Sequence, residues 1–270
     1  MRPCSSNLLK CSSKFSLRPT ALLLCKSTVI ALALELLSIA RATAAGITHY
    51  FTINPVKVCN PYFATCAPTP MYEAETYKIF SQAGIAPIFL PVTPLYNFDL
   101  SLLSVTGVEE IDLPKNKRHP NPTTINAWFV NSIVDPADPS NLIFGEAWPD
   151  RNGLVINGPA VLNEGINGRR DTFAHELGHN FGLYHYDTGD YGLDGNNLMA
   201  DGSIRRIPSV IGDITPDGAS LSQLTSAQID TILRSHLLNP ATIVNVGVQY
   251  NSAPFHVSIT GGRDEVFLKS

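Results

Sequence analysis

The sequence predicts an α+β fold built from several short strands and a few helices. Residues 47–58 alternate apolar and polar side chains, which is typical of a half-buried strand. Residues 72–83 carry apolar side chains at helical spacing, and Gly84 follows as a stop signal. Apolar, β-prone stretches predict further strands at residues 85–92, 125–133, 141–148 and 153–157, and residues 221–238 have the spacing of a second helix, with Ser222 or Thr225 as its cap.

Composition indicates one folded domain after an N-terminal targeting segment. The 270 residues are 44% apolar and 16% charged, which is enough apolar side chain for a sizeable core and argues against disorder. Residues 1–44 contain six basic residues, then the apolar run 28–40 and the small-x-small sequence Ala42-Thr43-Ala44, which is typical of a cleaved signal peptide. A membrane span is the weaker alternative, because the run is short and contains Glu35. We therefore expect a secreted or periplasmic protein that is processed near Ala44.

Removal of residues 1–44 would leave 13 basic and 22 acidic side chains, a net charge of −9. Such an acidic surface disfavours nucleic acid as a partner, and we expect a monomer without a stable membrane span. The remaining cysteines are Cys59 and Cys66, which we expect to form one disulfide in an oxidising compartment.

The most informative segment is the string HExxHxxGxxH, formed by residues 175–185. Residues four apart share one face of a helix, so His175 and His179 can bind a single metal ion, while Glu176 lies beside its open side. The third histidine, His185, can reach the same ion only if the chain turns, and Gly182 permits that turn because glycine adopts positive φ. Upstream, Asp171 is placed to cap the helix with its side chain.

This donor set points to catalytic zinc. Three histidines leave a fourth position for water, whereas a structural site closes with four protein ligands, often cysteines, and no cysteine follows Cys66. An accidental His-x-x-x-His pair is common on helices, but five fixed residues at these spacings are not.

With these residues the sequence resembles the metzincin zinc endopeptidases, and among them the pappalysin-like bacterial members. Metzincins place a methionine beneath the zinc in a tight turn, and Met199 is the only methionine after the motif. Related zinc peptidases with a downstream glutamate ligand fit less well, because Glu265 is the only glutamate after Glu176.

The resemblance implies a mixed twisted sheet with an active-site helix, and a smaller C-terminal subdomain with the methionine turn and a closing helix. It implies a catalytic domain over residues 45–240, followed by a β-prone tail of unassigned role, 241–270. It also implies one zinc ion held by His175, His179 and His185, Glu176 as general base and acid, Gly182 and Met199 as structural support, and a peptide substrate extended along a sheet edge.

Several alternatives stay open from the sequence. The fold can serve as a noncatalytic zinc-containing binding module, or hydrolyse a non-peptide amide, and one cysteine thiol can cap the zinc as in latent matrixins. A calcium site formed by loop oxygens is weakly supported against simple turn formation; its donors are Asp187, Asp190, Asp194, Asn196 and Asn197. Tyr186 and Asp201 match no common subfamily pattern, and Asp201 stands where some metzincins have an assisting tyrosine. The sequence does not predict the cleavage-site preference.

Overall fold

A computed structural model describes residues 46–98, 100–106, 113–165, 167–185, 194–202 and 204–241. These residues belong to one compact unit, Ala44–Ser270. The predicted signal peptide and nearly all of the predicted tail lie outside the described residues, so both stay predictions.

A mixed sheet forms the centre of the molecule, which confirms the predicted α+β class. Its strand order is β10-β1-β6-β9-β8, and strands β2, β3 and β4 also pair with the long strand β1. The strands of this sheet are β1 (His49–Asn60), β2 (Thr65–Cys66), β3 (Ile85–Phe89), β4 (Thr93–Tyr96), β6 (Thr124–Val130), β8 (Gly145–Ala147), β9 (Gly153–Asn157) and β10 (Asn239–Pro240), and a separate pair is formed by β5 (Ser104–Val105) and β7 (Ser132–Ile133).

Strand β8 is the end strand of the sheet and runs antiparallel to β9. The sequence predicted strands at 141–148 and 153–157 without showing which of them lies at the edge. The topology places the first of them, β8, at the end of the sheet. The amide of Asn157 donates to the carbonyl of Phe144 at 2.9 Å, and the amide of Trp148 donates to the carbonyl of Gly153 at 3.1 Å. Because antiparallel strands alternate their bonding direction, the backbone groups of Gly145 and Ala147 face away from β9. Among the described residues, no strand pairs with these groups on the outer side of β8.

Four α-helices accompany the sheet in the described residues: α1 (Glu73–Ser81), α2 (Gly158–Asn163), α3 (Thr172–Asn180) and α4 (Ser226–Leu233). Short 3-10 helices lie at Leu113–Lys115 and Ile211–Asp213. Helix α1 confirms the predicted helix at 72–83, and Gly84 ends it at a φ of 69°. None of the described helices is long and apolar enough to span a membrane.

The closing helix is shorter than predicted, because its predicted first turn has other partners. Ser222 donates to the buried carboxylate of Asp171 at 3.0 Å, and the Gln223 carbonyl accepts from the amide of Leu198 at 2.9 Å. Helix α4 therefore begins only after Thr225, whose hydroxyl accepts from the amide of Gln228 in a capping box. The predicted strand at 141–148 is likewise reduced to β8.

Two apolar cores lie on opposite faces of the sheet. Alternate residues of β6 divide between them: Ala127 and Phe129 pack in the larger core with helix α3, whereas Trp128 and Val130 pack on the other face against Leu113. The period-2 alternation of a strand produces this division. At the far end of β1, Cys59 and Cys66 form the predicted disulfide.

Candidate zinc centre on the active-site helix

Helix α3 carries the first two histidines and Glu176, and it packs its apolar side into the larger core. Phe173, Ala174 and Leu177 are fully buried there. Asp171 occupies the position before the helix, but the predicted side-chain cap is wrong: its carboxylate makes no hydrogen bond to the first turn. Asp171 is fully buried and accepts from the hydroxyl of Ser222 instead. The long-range partner replaces the local one because the subdomain around Ser222 covers this helix end.

The structure brings His175, His179 and His185 together. One metal-ligating nitrogen from each lies within 4.8 Å of the others. The Nε2 atoms of His175 and His185 are 3.2 Å apart.

Gly182 provides the turn that the motif requires. The helix ends at Asn180, and Gly182 has a φ of 84°, a left-handed value that L side chains rarely adopt. The amide of Leu183 then donates to the carbonyl of Gly178 at 3.0 Å, which closes the helix end. His185 is thereby turned back toward the two helical histidines.

Backbone carbonyls hold the outer Nδ1 atoms of the two helical histidines. Nδ1 of His175 donates to the carbonyl of Leu198 at 2.8 Å, and Nδ1 of His179 donates to the carbonyl of Leu183 at 2.7 Å. Nδ1 of His185 lies 3.8 Å from the carboxylate of Asp201, a residue to which the sequence assigned no role. Because a carbonyl can only accept, the helical histidines carry their proton on Nδ1 and leave the Nε2 lone pair free.

This arrangement fits zinc. The Nε2 atoms of His175 and His185 face each other across 3.2 Å, and the free lone pair of His175 Nε2 is directed at this contact. Two nitrogens bound tetrahedrally at about 2.0–2.1 Å from zinc lie roughly 3.3 Å apart. Outer-atom partners of this kind are typical of metal-bound histidines, because they fix the tautomer and the ring orientation.

Burial sets the electrostatics of the helical residues. It lowers the pKa of His175 well below the usual range, with Arg205 adding to the effect, and it also lowers the pKa of His179. Both rings are therefore neutral, as metal ligands must be. Burial raises the pKa of Glu176 to about 8, against an opposing effect of Arg205, and a zinc cation nearby would lower this pKa and favour the carboxylate.

Glu176 lies against the edge strand. Its side chain is 6% exposed, and a Cβ built at Gly145 of β8 would come within 2.8 Å of its Cγ and 3.0 Å of its Oε1. Only glycine at position 145 allows the carboxylate this close to the edge. Glu176 thus lies beside Gly145 of the end strand β8, and it directly follows His175 on helix α3.

Met199 lies beneath the helix, as the resemblance implies. It is fully buried, and its Sδ would be 2.5 Å from a Cβ at Gly178, between the two helical histidines. The turn around it is fixed by Asn197, whose Oδ1 accepts from the amide of Met199 at 2.8 Å. Asn197 and Gln228 of helix α4 also exchange two side-chain hydrogen bonds at 2.9 and 3.0 Å. Gln228 was not predicted as a site residue; its only sequence signal is the capping position three residues after Thr225.

The calcium prediction finds no support among its described donors. Asp194 accepts from the amide of Asn196 at 2.9 Å, a turn contact, and Asn196 accepts from Arg206 at 3.0 Å. Asn197 is paired with Gln228, whereas Asp187 and Asp190 lie outside the described residues, as does Tyr186.

Comparisons with known proteins agree with this geometry. Residues 143–186, from before the edge strand to just beyond His185, match the family described as metallo-peptidase family M12B, Reprolysin-like. No curated protein sequence matches the chain significantly.

Several solved structures are similar in part. An archaemetzincin from Methanopyrus kandleri is 14% identical over 69% of this chain and 95% of its own, with a TM-score of 0.44. An archaemetzincin from Archaeoglobus fulgidus is 13% identical over 67% of this chain and 99% of its own, with a TM-score of 0.39. A zinc-dependent peptidase from Methanocorpusculum labreanum is 14% identical over the same shares, with a TM-score of 0.38. Since these TM-scores are below 0.5, the similarity to zinc metallopeptidases rests on the family match over residues 143–186 and on the histidine cluster.

Proposed function

We propose that this chain is a secreted or periplasmic zinc endopeptidase of the metzincin type, in which Glu176 moves the proton during peptide hydrolysis; the family match and the histidine cluster support the zinc peptidase class. The observation that carries the proposal is the position of Glu176, which is buried beside Gly145 of the end strand β8 and directly follows His175 on the same helix. The predicted signal peptide supports the location outside the cytoplasm.

The chemistry follows from the residues present. A zinc ion held by His175, His179 and His185 would lower the pKa of a bound water to about 7 and would polarise the scissile carbonyl. Glu176 accepts the proton of the attacking water and then donates it to the leaving amine, so one carboxylate serves as base and then as acid. The Leu198 and Leu183 carbonyls keep the imidazoles of His175 and His179 oriented throughout.

The substrate is proposed to bind as an added strand on β8. The outward backbone groups of Gly145 and Ala147 can pair with an extended peptide, which gives affinity without a requirement for particular side chains. The missing side chain at Gly145 lets the Glu176 side chain pack against this strand.

Glu176→Gln tests the mechanism. Purified protein lacking residues 1–44 should contain about one zinc per chain by elemental analysis and should cleave a denatured protein. Glu176→Gln should retain zinc and lose at least about 1,000-fold in kcat, within the range for a lost general base and its paired acid step. The matched control is Glu164→Gln, an exposed carboxylate at the end of helix α2, which should cleave normally. Normal cleavage by zinc-loaded Glu176→Gln would disprove the role of this residue.

Ala147→Pro tests the edge. Proline removes one amide from β8 on the side that faces away from β9, where edge strands tolerate it. We expect KM for extended peptides to rise by about tenfold, the effect of losing about 1.4 kcal/mol of hydrogen bonding, with zinc content unchanged. Ala147→Val, which keeps the amide, should behave as the wild type; an equal rise in KM for both variants would contradict strand addition.

Location and substrate class need separate measurements. N-terminal sequencing of protein exported by the source cells should give a chain that begins near Ala45, and an intact cytoplasmic chain would contradict export. Zinc-loaded protein that cleaves no member of a peptide library would favour a non-peptide amide or a noncatalytic role.

A further inference from the structure

A buried arginine, Arg205, contacts the carbonyl that accepts the hydrogen bond of His175. The side chain of Arg205 is only 4% exposed, although the residue belongs to the irregular segment that follows Met199. Its neighbour Arg206 is exposed and donates to Asn196 at 3.0 Å. Two successive arginines therefore have opposite environments, and only one of them is buried against the site.

The guanidinium of Arg205 contacts three groups that determine where His175 lies. Nη1 approaches the carbonyl of Leu198 at 3.5 Å, Nη2 approaches the hydroxyl of Thr172 at 3.4 Å, and Nε is 3.8 Å from the carboxylate of Asp171. Leu198 accepts the Nδ1 proton of His175, while Asp171 and Thr172 form the start of the helix that carries His175. One planar cation thus joins the outer partner of a zinc ligand to the helix of that ligand.

The fully buried carboxylate of Asp171 provides an opposing charge for Arg205 and is itself held by Ser222. Buried charges are tolerated only when they are paired in this way. A second arginine, Arg169, is 8% exposed, stacks 4.2 Å from the ring of Phe144 and contacts Thr172 at 3.3 Å.

We propose that Arg205 is a positioning residue of the zinc centre, which holds the Leu198 carbonyl in the orientation that His175 needs. Lysine cannot replace it, because one ammonium cannot reach Leu198, Thr172 and Asp171 with the fixed fork of a guanidinium. The inference rests on zinc binding by the three histidines and not on the identity of the substrate.

The test compares zinc release from purified, zinc-loaded variants in the presence of excess chromophoric chelator. Arg205→Met removes the cation and Arg205→Lys keeps the charge without the fork, whereas Arg206→Met removes an exposed charge one residue away. Leu113→Ala, in the core on the other face of the sheet, provides a variant that is destabilised without contact to the site. Cobalt-substituted samples add an absorption spectrum that reports the geometry of the ligands.

We expect Arg205→Lys and Arg205→Met to release zinc about 10- to 100-fold faster than the wild type, as outer partners of metal ligands do when removed, and to change the cobalt spectrum. Arg206→Met should match the wild type, and Leu113→Ala should keep the wild-type spectrum despite a lower melting temperature. If Arg205→Met does not fold, Arg205→Lys decides.

Wild-type release and spectrum in Arg205→Lys would overturn the proposal, and so would a change confined to KM, which would make Arg205 a substrate contact. Failure of the proposed peptidase function looks different: the wild type would bind zinc but cleave no peptide, and the zinc-release results would stand.

Discussion

Different interactions stabilise the two parts of the molecule that form the zinc centre. The sheet part, residues 46–180, consists of long paired strands and helix α3, with two apolar cores and a regular backbone hydrogen-bond network. The C-terminal part, residues 194–241, has one α-helix of eight residues in its described residues, and buried side-chain hydrogen bonds fix its course. The difference teaches that His175, His179 and Glu176 lie on regular structure, whereas their outer support comes from an irregular segment that combines apolar contacts, such as those of Met199, with a few buried polar pairs. Mutations in those pairs are the sharpest way to examine the contrast.

The largest expected effect is that of Asp171→Ala. The substitution leaves Arg205 without its buried carboxylate and Ser222 without its acceptor, and breaking a buried pair costs about 3–5 kcal/mol in the free energy of unfolding. Asp217→Ala is the matched control, because Asp217 also links the two parts, through Lys78, but its side chain is 66% exposed. Denaturant unfolding should show at most about 1 kcal/mol for the control. Equal losses would remove the distinction between buried and exposed links.

Gly178→Ala should come next. A Cβ at this position would lie 2.5 Å from the Sδ of Met199, so the helix and the methionine turn must separate, at about 1–3 kcal/mol in the free energy of unfolding. Shortening the opposing side chain should relieve the clash, so the double variant with Met199→Ala should be less destabilised than the sum of the single variants. Strictly additive losses would mean that these two residues do not contact each other.

Gln228→Ala should weaken the C-terminal part by about 1–3 kcal/mol in chemical unfolding, because it leaves the buried Asn197 side chain without two hydrogen bonds. The same substitution also removes half of the capping box of helix α4. Thr225→Ala removes the other half alone and therefore measures the cap, which is worth about 1 kcal/mol. A loss in Gln228→Ala no larger than that in Thr225→Ala would show that the bonds to Asn197 do not support the methionine turn.

The smallest expected effect on stability is that of Gly182→Ala. The nearest atom to the new Cβ is 3.9 Å away, so the cost comes from the positive φ alone, about 1–2 kcal/mol. Gly182→Asn should cost less, because asparagine adopts this conformation more readily. Gly182→Ala should release zinc faster than Gly182→Asn, because its backbone strain is larger and Gly182 turns the chain toward His185. Equal release rates would contradict that role.

The main strands, the first helix and the zinc ligands were predictable from sequence because their signals are local. Four-residue spacing on a helix and a glycine at its end are enough to predict that His175, His179 and His185 converge. Local sequence patterns gave wrong predictions where a distant partner was available: Asp171 does not cap its helix, and the closing helix begins later than predicted. The roles of Gln228, Asp201 and Arg205 were not predictable for the same reason: Asn197 and Gln228 are 31 residues apart in the chain.

The sequence by itself thus determined the chemistry of this protein, since residue types and helical spacing select zinc and a nearby carboxylate. The tertiary structure alone decided that β8 ends the sheet of the described residues, that Gly145 packs against Glu176, and which carbonyls accept from the helical histidines. The physical reason is that ligand spacing along one helix is fixed by backbone geometry, whereas the partner of a buried polar group depends on which distant segment packs against it.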